Sequence, residues 1–294
     1  MRIEVLAGLA AVAAVAFVAP AQAEPDWKAV AQALGKEGAV QPGGVYRVGL
    51  PRSDLKVKLD GVDIKPGLAL GSWLAFVPTG NEAMVMGDLV LTGDEVNPVM
   101  KKLLEGGIEI TALHNHLLRS EPPTMYMHVA AHGDPLKLAA SLHEGLALSN
   151  TPMAPAAAAQ AQTVDLDTAA IDAAMGFKGK ANGAIYQFSI PRAEAVRDEG
   201  MVVPEAMGSA LAINFQSTGD GKAAIAGDLV LVAAEVNPVL RALRMNGIEV
   251  TAVHNHMLDD RPHLLFMHFW ANDDALKLAK GMRAALDKIA VTKG

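Results

Sequence analysis

The run Gly-Ile-Glu-Ile-Thr-Ala-Leu-His-Asn-His at residues 107–116, followed by Leu-Leu-Arg-Ser-Glu-Pro-Pro and by Thr-Met-Tyr-Met-His ending at His128, decides how the chain is read. Side chains alternate faces along a strand, so Ile108, Ile110, Ala112, His114 and His116 are expected on one face, an apolar stripe ending in two imidazoles. Pro122 and Pro123 mark a reversal of the chain. If the next strand pairs antiparallel, His128 lies opposite or diagonal to His114, with Cβ atoms about 5 to 7 Å apart. Three histidines then converge, a pattern that points to a metal site more than to any one reaction.

The pattern occurs twice. His254, His256 and His268 follow His114, His116 and His128 at a constant spacing of 140 residues, and the Glu-Val-Asn-Pro-Val segment at Glu95 recurs at Glu235. Pro51-Arg52 matches Pro191-Arg192, and Asp88 matches Asp228. This is an internal duplication. The chain divides into a signal peptide at 1–23, a first unit at 24–148, an Ala/Pro-rich linker at 149–163 and a second unit at 164–294. The expected class is α+β, each unit a mixed sheet with a βαβ unit, a histidine-bearing hairpin and two main helices. A single unit offers a modest core, which favours two units packed as one pseudo-symmetric body.

Helix signals frame the hairpin. Asp26 and Gly35 bracket a short apolar-periodic run, and Asp134-Pro135 caps a second helix. Asn97-Pro98 is expected to start the helix before the histidine strand. A strand ending at Leu91, that helix, and a strand from Ile108 form a βαβ unit whose two strands run parallel, so that their C-terminal ends share one edge. Glu95 lies just past the first end and His114 and His116 at the second. Three imidazoles with a carboxylate fit zinc first, with manganese, iron or copper as alternatives. The competing reading is a set of hydrogen-bonded core histidines with Glu95 serving a helix N-terminus. Glu95 and Asp88, with Glu235 and Asp228 in the second unit, are the candidate proton-moving carboxylates, because an acid among strand apolars needs a partner or a task. Arg52 and Arg192 are the candidates for holding an anionic substrate group through the guanidinium fork, against a simpler reading as solvated surface arginines. His132, His143 and His263 lack counterparts in the other unit and read as surface residues.

Composition removes other classes. The net charge of -7, the interspersed charges and the 4% of aromatic residues leave no basic footprint for nucleic acid. Residues 1–23 carry Arg2, a short apolar run and Ala21-Gln22-Ala23, which reads as a cleavable export signal rather than a membrane span. With no cysteine, disulfides, thiolate ligands and a lipid anchor are not expected. The expected location is the periplasm or the extracellular space.

The paired Gly-Asp-Leu-Val-Leu, Glu-Val-Asn-Pro-Val, His-Asn-His and Met-His segments resemble the LppY/LpqO family of bacterial envelope proteins, a duplicated domain of unknown function. The resemblance implies an envelope location and brings no catalytic residues. The leading functional expectation is therefore an exported metal-binding protein acting as a metal-dependent hydrolase on a small molecule, with a non-catalytic metal- or ligand-binding envelope module as the alternative.

Overall fold

The computed structural model describes residues 25–154 and 163–292; the expected signal peptide and residues 155–162 of the expected linker lie outside them. The first half runs α1 (Trp27–Leu34), β1 (Ala39–Gln41), β2 (Val45–Pro51), β3 (Val57–Leu59), β4 (Val62–Ile64), α2 (Pro66–Ala69), β5 (Gly71–Thr79), β6 (Glu82–Thr92), α3 (Gly93–Glu105), β7 (Glu109–His114), β8 (Thr124–Gly133) and α4 (Pro135–Leu146). The second half repeats it as α5 (Thr168–Met175), β9 (Lys180–Asn182), β10 (Ile185–Pro191), β11 (Arg197–Asp198), β12 (Met201–Val202), β13 (Ala210–Gly219), β14 (Lys222–Val232), α6 (Ala233–Met245), β15 (Glu249–His254), β16 (Asp260–Arg261), β17 (Leu264–Asp274) and α7 (Ala275–Leu286). The fold is α+β with two homologous halves. Among the described residues no helix is long and apolar enough to cross a membrane.

Each half builds a six-stranded antiparallel sheet in the same order, β1-β2-β5-β6-β8-β7 and β9-β10-β13-β14-β17-β15. One face of the first sheet, with Val85, Leu89, Met127 and Val129, packs on Leu34 of α1, Val99 and Leu103 of α3 and Leu142 of α4. Its other face meets the second sheet, since Val90 and Tyr126 share a cluster with Ala224, Ala226 and Trp270. Alternation sets this up, because residues one apart on β6 must serve two different layers. The helices therefore lie outside and the two sheets inside, and Asp88, of the same parity as Val90, points into the interface.

Three expectations are corrected. Strands β6 and β7 run parallel as expected, but they are not neighbours: β8 is inserted between them and pairs antiparallel with both. The helix before β7 starts at Gly93 rather than at Pro98, because Glu95 reaches back to accept from the Thr92 N–H at 2.8 Å and satisfies the terminus one turn earlier. The face of the histidines is also reversed. Ile110 pairs with Val129 but Ala112 pairs with His128, leaving Thr111 as an extra residue in a β-bulge. Ile108 and Ile110 accordingly join the helix-side core, and Ala112 and His114 turn to the inter-sheet side. A bulge at Thr251 does the same in the second half.

Candidate metal centre

The two bulges bring all six repeated histidines into one place between the sheets. His114 pairs in register with Tyr126, and His128 with Ala112, so His128 is diagonal to His114. Across the interface the imidazoles meet in three pairs: His114 stacks on His254 with ring centroids 3.4 Å apart, His116 stacks on His268 at 3.5 Å, and His128 lies tilted against His256 at 3.6 Å. The latter two pairs interchange under the pseudo-twofold. Tyr126 closes the outer side of His116 at 3.4 Å, and Phe266 does so for His256 at 3.7 Å. The expectation of a separate site in each unit is therefore replaced by a single shared cluster.

Asp88 and Asp228 complete it. Asp228 lies 3.3 Å from Nε2 of His256 and 3.9 Å from Nε2 of His268, and Asp88 lies 4.0 Å from Nε2 of His116. Donor atoms within 4.8 Å of one another include the sets Asp88/His116/His128 and Asp228/His254/His256 within the halves, and His114/His116/His268 and His114/His128/His254 across them. Nε2 of His116 and Nε2 of His114 stand 3.1 Å apart, near the roughly 3.3 Å that two ligands keep around a tetrahedral ion with about 2.05 Å bonds. Buried polar atoms in a folded protein almost always find partners. Here Oδ1 of Asp88 and Nε2 of His128 and His254 have none, and Nε2 of His256 and His268 have only the Asp228 carboxylate beside them. A buried set of orphaned nitrogens and carboxylate oxygens is the donor chemistry that a divalent cation takes up. The second-half ring is also oriented from behind, since Nδ1 of His268 meets the Gly227 carbonyl at 2.8 Å.

Burial favours the neutral form of His114, His116, His128, His254 and His268. Burial, followed by the neighbouring imidazoles His254 and His268, pushes His114 down to about 2, and burial followed by His268 takes His254 to about 3. Burial and the adjacent rings also hold His116 and His128 well below the ordinary value. Burial, with Asp228 nearby, raises Asp88 well above the usual carboxylate range, Arg47 opposing. Burial would raise Asp228 too, but His268 and His256 outweigh it and hold that carboxyl low. Neutral imidazole is the form that ligates a metal.

The other candidate residues lie elsewhere. Arg52 is fully buried, not solvated, and its fork is used up: Nη1 donates to Glu95 at 2.8 Å and to the Val90 carbonyl at 2.7 Å, while Nε and Nη2 donate to Asp54. Glu95 also accepts from the backbone N–H groups of Thr92 and Asn150, both at 2.8 Å. Arg192 and Glu235 repeat the arrangement, with Val230, Glu194, Val232 and Ala290 as partners. Glu95 and Glu235 are thus clamps between a strand-end arginine, a helix start and the segment after the last helix of each half rather than proton carriers, and Arg52 and Arg192 have no donor left for a substrate. Asn150 belongs to the expected linker and is anchored here. His132, His143 and His263 are exposed, as expected.

The centre is reached by a cleft of about 1130 Å³ between the sheets, lined among others by Asp88, His116, Asp228, His256 and His268. Arg47, Trp73 and Tyr126 also line it, and sequence reasoning missed all three. The duplication held a signal for two of them, because Arg47 aligns with Gln187 and Tyr126 with Phe266 at the 140-residue spacing while their flanks match.

Fold and site define a duplicated α+β protein with a histidine-carboxylate centre shared by its two halves. The chain belongs to the family described as Domain of Unknown Function (DUF1259), whose model matches residues 28–148 and again 169–288. No curated protein matches the chain in sequence. Among solved structures it is similar to the trimeric bacterial microcompartment shell protein PduB (10% identity, 86% of this chain and 90% of that chain, TM-score 0.21) and to EtuB from Clostridium kluyveri (8% identity, 86% and 91%, TM-score 0.20). Likeness at this level transfers neither architecture nor activity.

Proposed function

We propose that the protein is an exported metal-binding protein and that the shared centre acts as a metal-dependent hydrolase on a small molecule of the envelope or extracellular space. The observation that carries this reading is the burial, at one point, of histidine nitrogens and aspartate oxygens with no protein partner, beside a cleft large enough for a small substrate. His114, His116, His128, His254, His256, His268, Asp88 and Asp228 would hold the metal, zinc first. A bound divalent ion supplies a Lewis acid and an activated water. Asp88, whose burial favours its protonated form, is placed to hold or move a proton at its unpartnered oxygen. Export rests on residues 1–23 and on the resemblance to LppY/LpqO envelope proteins, and periplasmic or secreted residence follows from both.

A second reading is favoured by the donor count. Eight donors shared by two ions allow four each, the closed arrangement of structural and carrier sites, whereas catalytic sites keep a position open. Metal content of untagged protein, measured with hydrolysis of para-nitrophenyl acetate and para-nitrophenyl phosphate before and after chelation, separates the two. Bound metal with chelator-sensitive hydrolysis supports the enzyme, and two tightly held ions with no hydrolysis support the binding module. Protein that binds no metal removes both.

A further inference from the structure

The cleft treats its two walls differently. Arg47 of β2 lies on the inter-sheet side with its guanidinium carbon 4.1 Å from the centre of the Trp73 ring, and Nη1 donates to the Ala206 carbonyl across the interface. Among the described residues its guanidinium makes no other hydrogen bond and no ion pair, unlike those of Arg52 and Arg192. Burial lowers it to about 10, although Asp88 works the other way, so this cation is desolvated without a contacting counter-charge. A guanidinium held by an aromatic face and one carbonyl keeps donors free for an anion, and its planar fork suits a carboxylate or phosphoryl group. On the opposite wall the matching position holds Gln187, whose amide is engaged with Gly67 and Asn214.

The register gives the span. Gly49, Trp73, Asp88 and His128 lie side by side on β2, β5, β6 and β8. Arg47 is two residues along β2 from Gly49, on the same face. Two strand spacings of about 4.8 Å put the Arg47 strand roughly 10 Å from the Asp88 strand. Gly49 leaves the floor between them open, since a Cβ there would meet nothing within 4 Å. We infer that the cleft binds a small anionic molecule, its carboxylate or phosphoryl group on Arg47 and its remainder extending over Gly49 and Trp73 to the histidine-aspartate centre.

This assigns the substrate class of the proposed metal centre and rests on that reading for what happens at the far end, but the anion subsite is independent of metal. The test is calorimetric titration of the full chain, stripped of metal with EDTA and dialysed, with benzoate and with phenyl phosphate. At least one probe is expected to bind wild type at millimolar concentration or below, and the tighter of the two says whether the group is carboxylate or phosphoryl. Arg47→Gln should weaken that binding tenfold or more, and Arg47→Lys should recover part of it. Lys280→Gln, which removes one positive charge from an exposed position on α7, should leave it unchanged. Gln already stands at the equivalent register of the second half, so the variant is compatible with the strand, and its melting temperature checks this. Equal binding by wild type and Arg47→Gln overturns the inference, as does binding of neither probe by wild type. Metal content, measured separately, reports on the metal reading alone.

Discussion

Replacing Glu95 with Ala separates a structural carboxylate from a catalytic one. In the wild type, Glu95 accepts from Arg52 Nη1 at 2.8 Å and Nη2 at 3.2 Å, and from the Thr92 and Asn150 N–H groups at 2.8 Å each. Removing it leaves a guanidinium at 0% exposure with only Asp54 as a charged partner and deprives the first turn of α3 of its acceptor. Breaking a buried pair by removing one partner costs about 3 to 5 kcal/mol. With a melting shift of roughly 2 to 4 °C per kcal/mol for a chain of this size, Glu95→Ala should melt about 6 to 20 °C below wild type. Circular dichroism melting, with metal content measured at 20 °C below the variant's midpoint, is the assay (a temperature of about that order suffices for a folded baseline). The variant is expected to keep its metal while folded. A midpoint within about 2 °C of wild type, an effect of under 1 kcal/mol, would refute the clamp.

Backbone approach gives a second test: a Cβ on Gly87 would stand 2.7 Å from the Trp73 carbonyl and 2.6 Å from Leu74, so Gly87→Ala should lose about 1 to 3 kcal/mol in denaturant titration, while Gly49→Ala, facing open space, should lose under about 1. The lowered histidines set a pH dependence. Free imidazole titrates near 6.5, so as pH falls below that value the unfolded chain takes up protons before the folded one does. Stability of metal-free protein is thus held above pH about 6.5 and lost below it, by up to about 1.4 kcal/mol per pH unit for each such histidine. Asp88, raised, acts in the opposite sense and partly flattens the loss. Melting should fall between pH about 7 and 5, less steeply in His128→Phe, and a pH-independent midpoint contradicts the neutral cluster. Finally, cleavage at a protease site inserted in residues 155–162 should leave the halves co-eluting on gel filtration, because the sheets share both core and histidines; separation into independent halves contradicts the shared interface.

The duplication, the caps at Asp26 and Asp134 and the histidine hairpin were legible because each is written in local residue patterns. The face of the histidines was not. An extra residue at Thr111 leaves no trace in the alternation of Ile108, Ile110 and Ala112, yet it moves His114 from the helix side to the sheet side. The insertion of β8 between β6 and β7 was hidden for a related reason, since pairing partners are chosen by the whole sheet. That the two histidine trios meet needs the packing of the halves, which no short segment encodes. The arginines show how burial defeats residue-type reasoning. Arg52 looked free and is saturated, and Arg47 drew no notice and keeps open donors. A cue for the first was present, because Arg52 and Glu95 recur together as Arg192 and Glu235, each with an acid two residues after the arginine.

The central claim is that six histidines and two aspartates form one metal centre built jointly by the two halves. His254→Ala tests it most directly, because His254 belongs both to the second half's set with Asp228 and His256 and to the shared set with His114 and His128. Metal content of untagged wild type and His254→Ala, after incubation with zinc and desalting at neutral pH, is the measurement. Wild type is expected to retain zinc, and the variant to lose more than half of it, with altered affinity for what remains. Wild type without bound zinc under these conditions, or a variant that binds as much as wild type, would contradict the account.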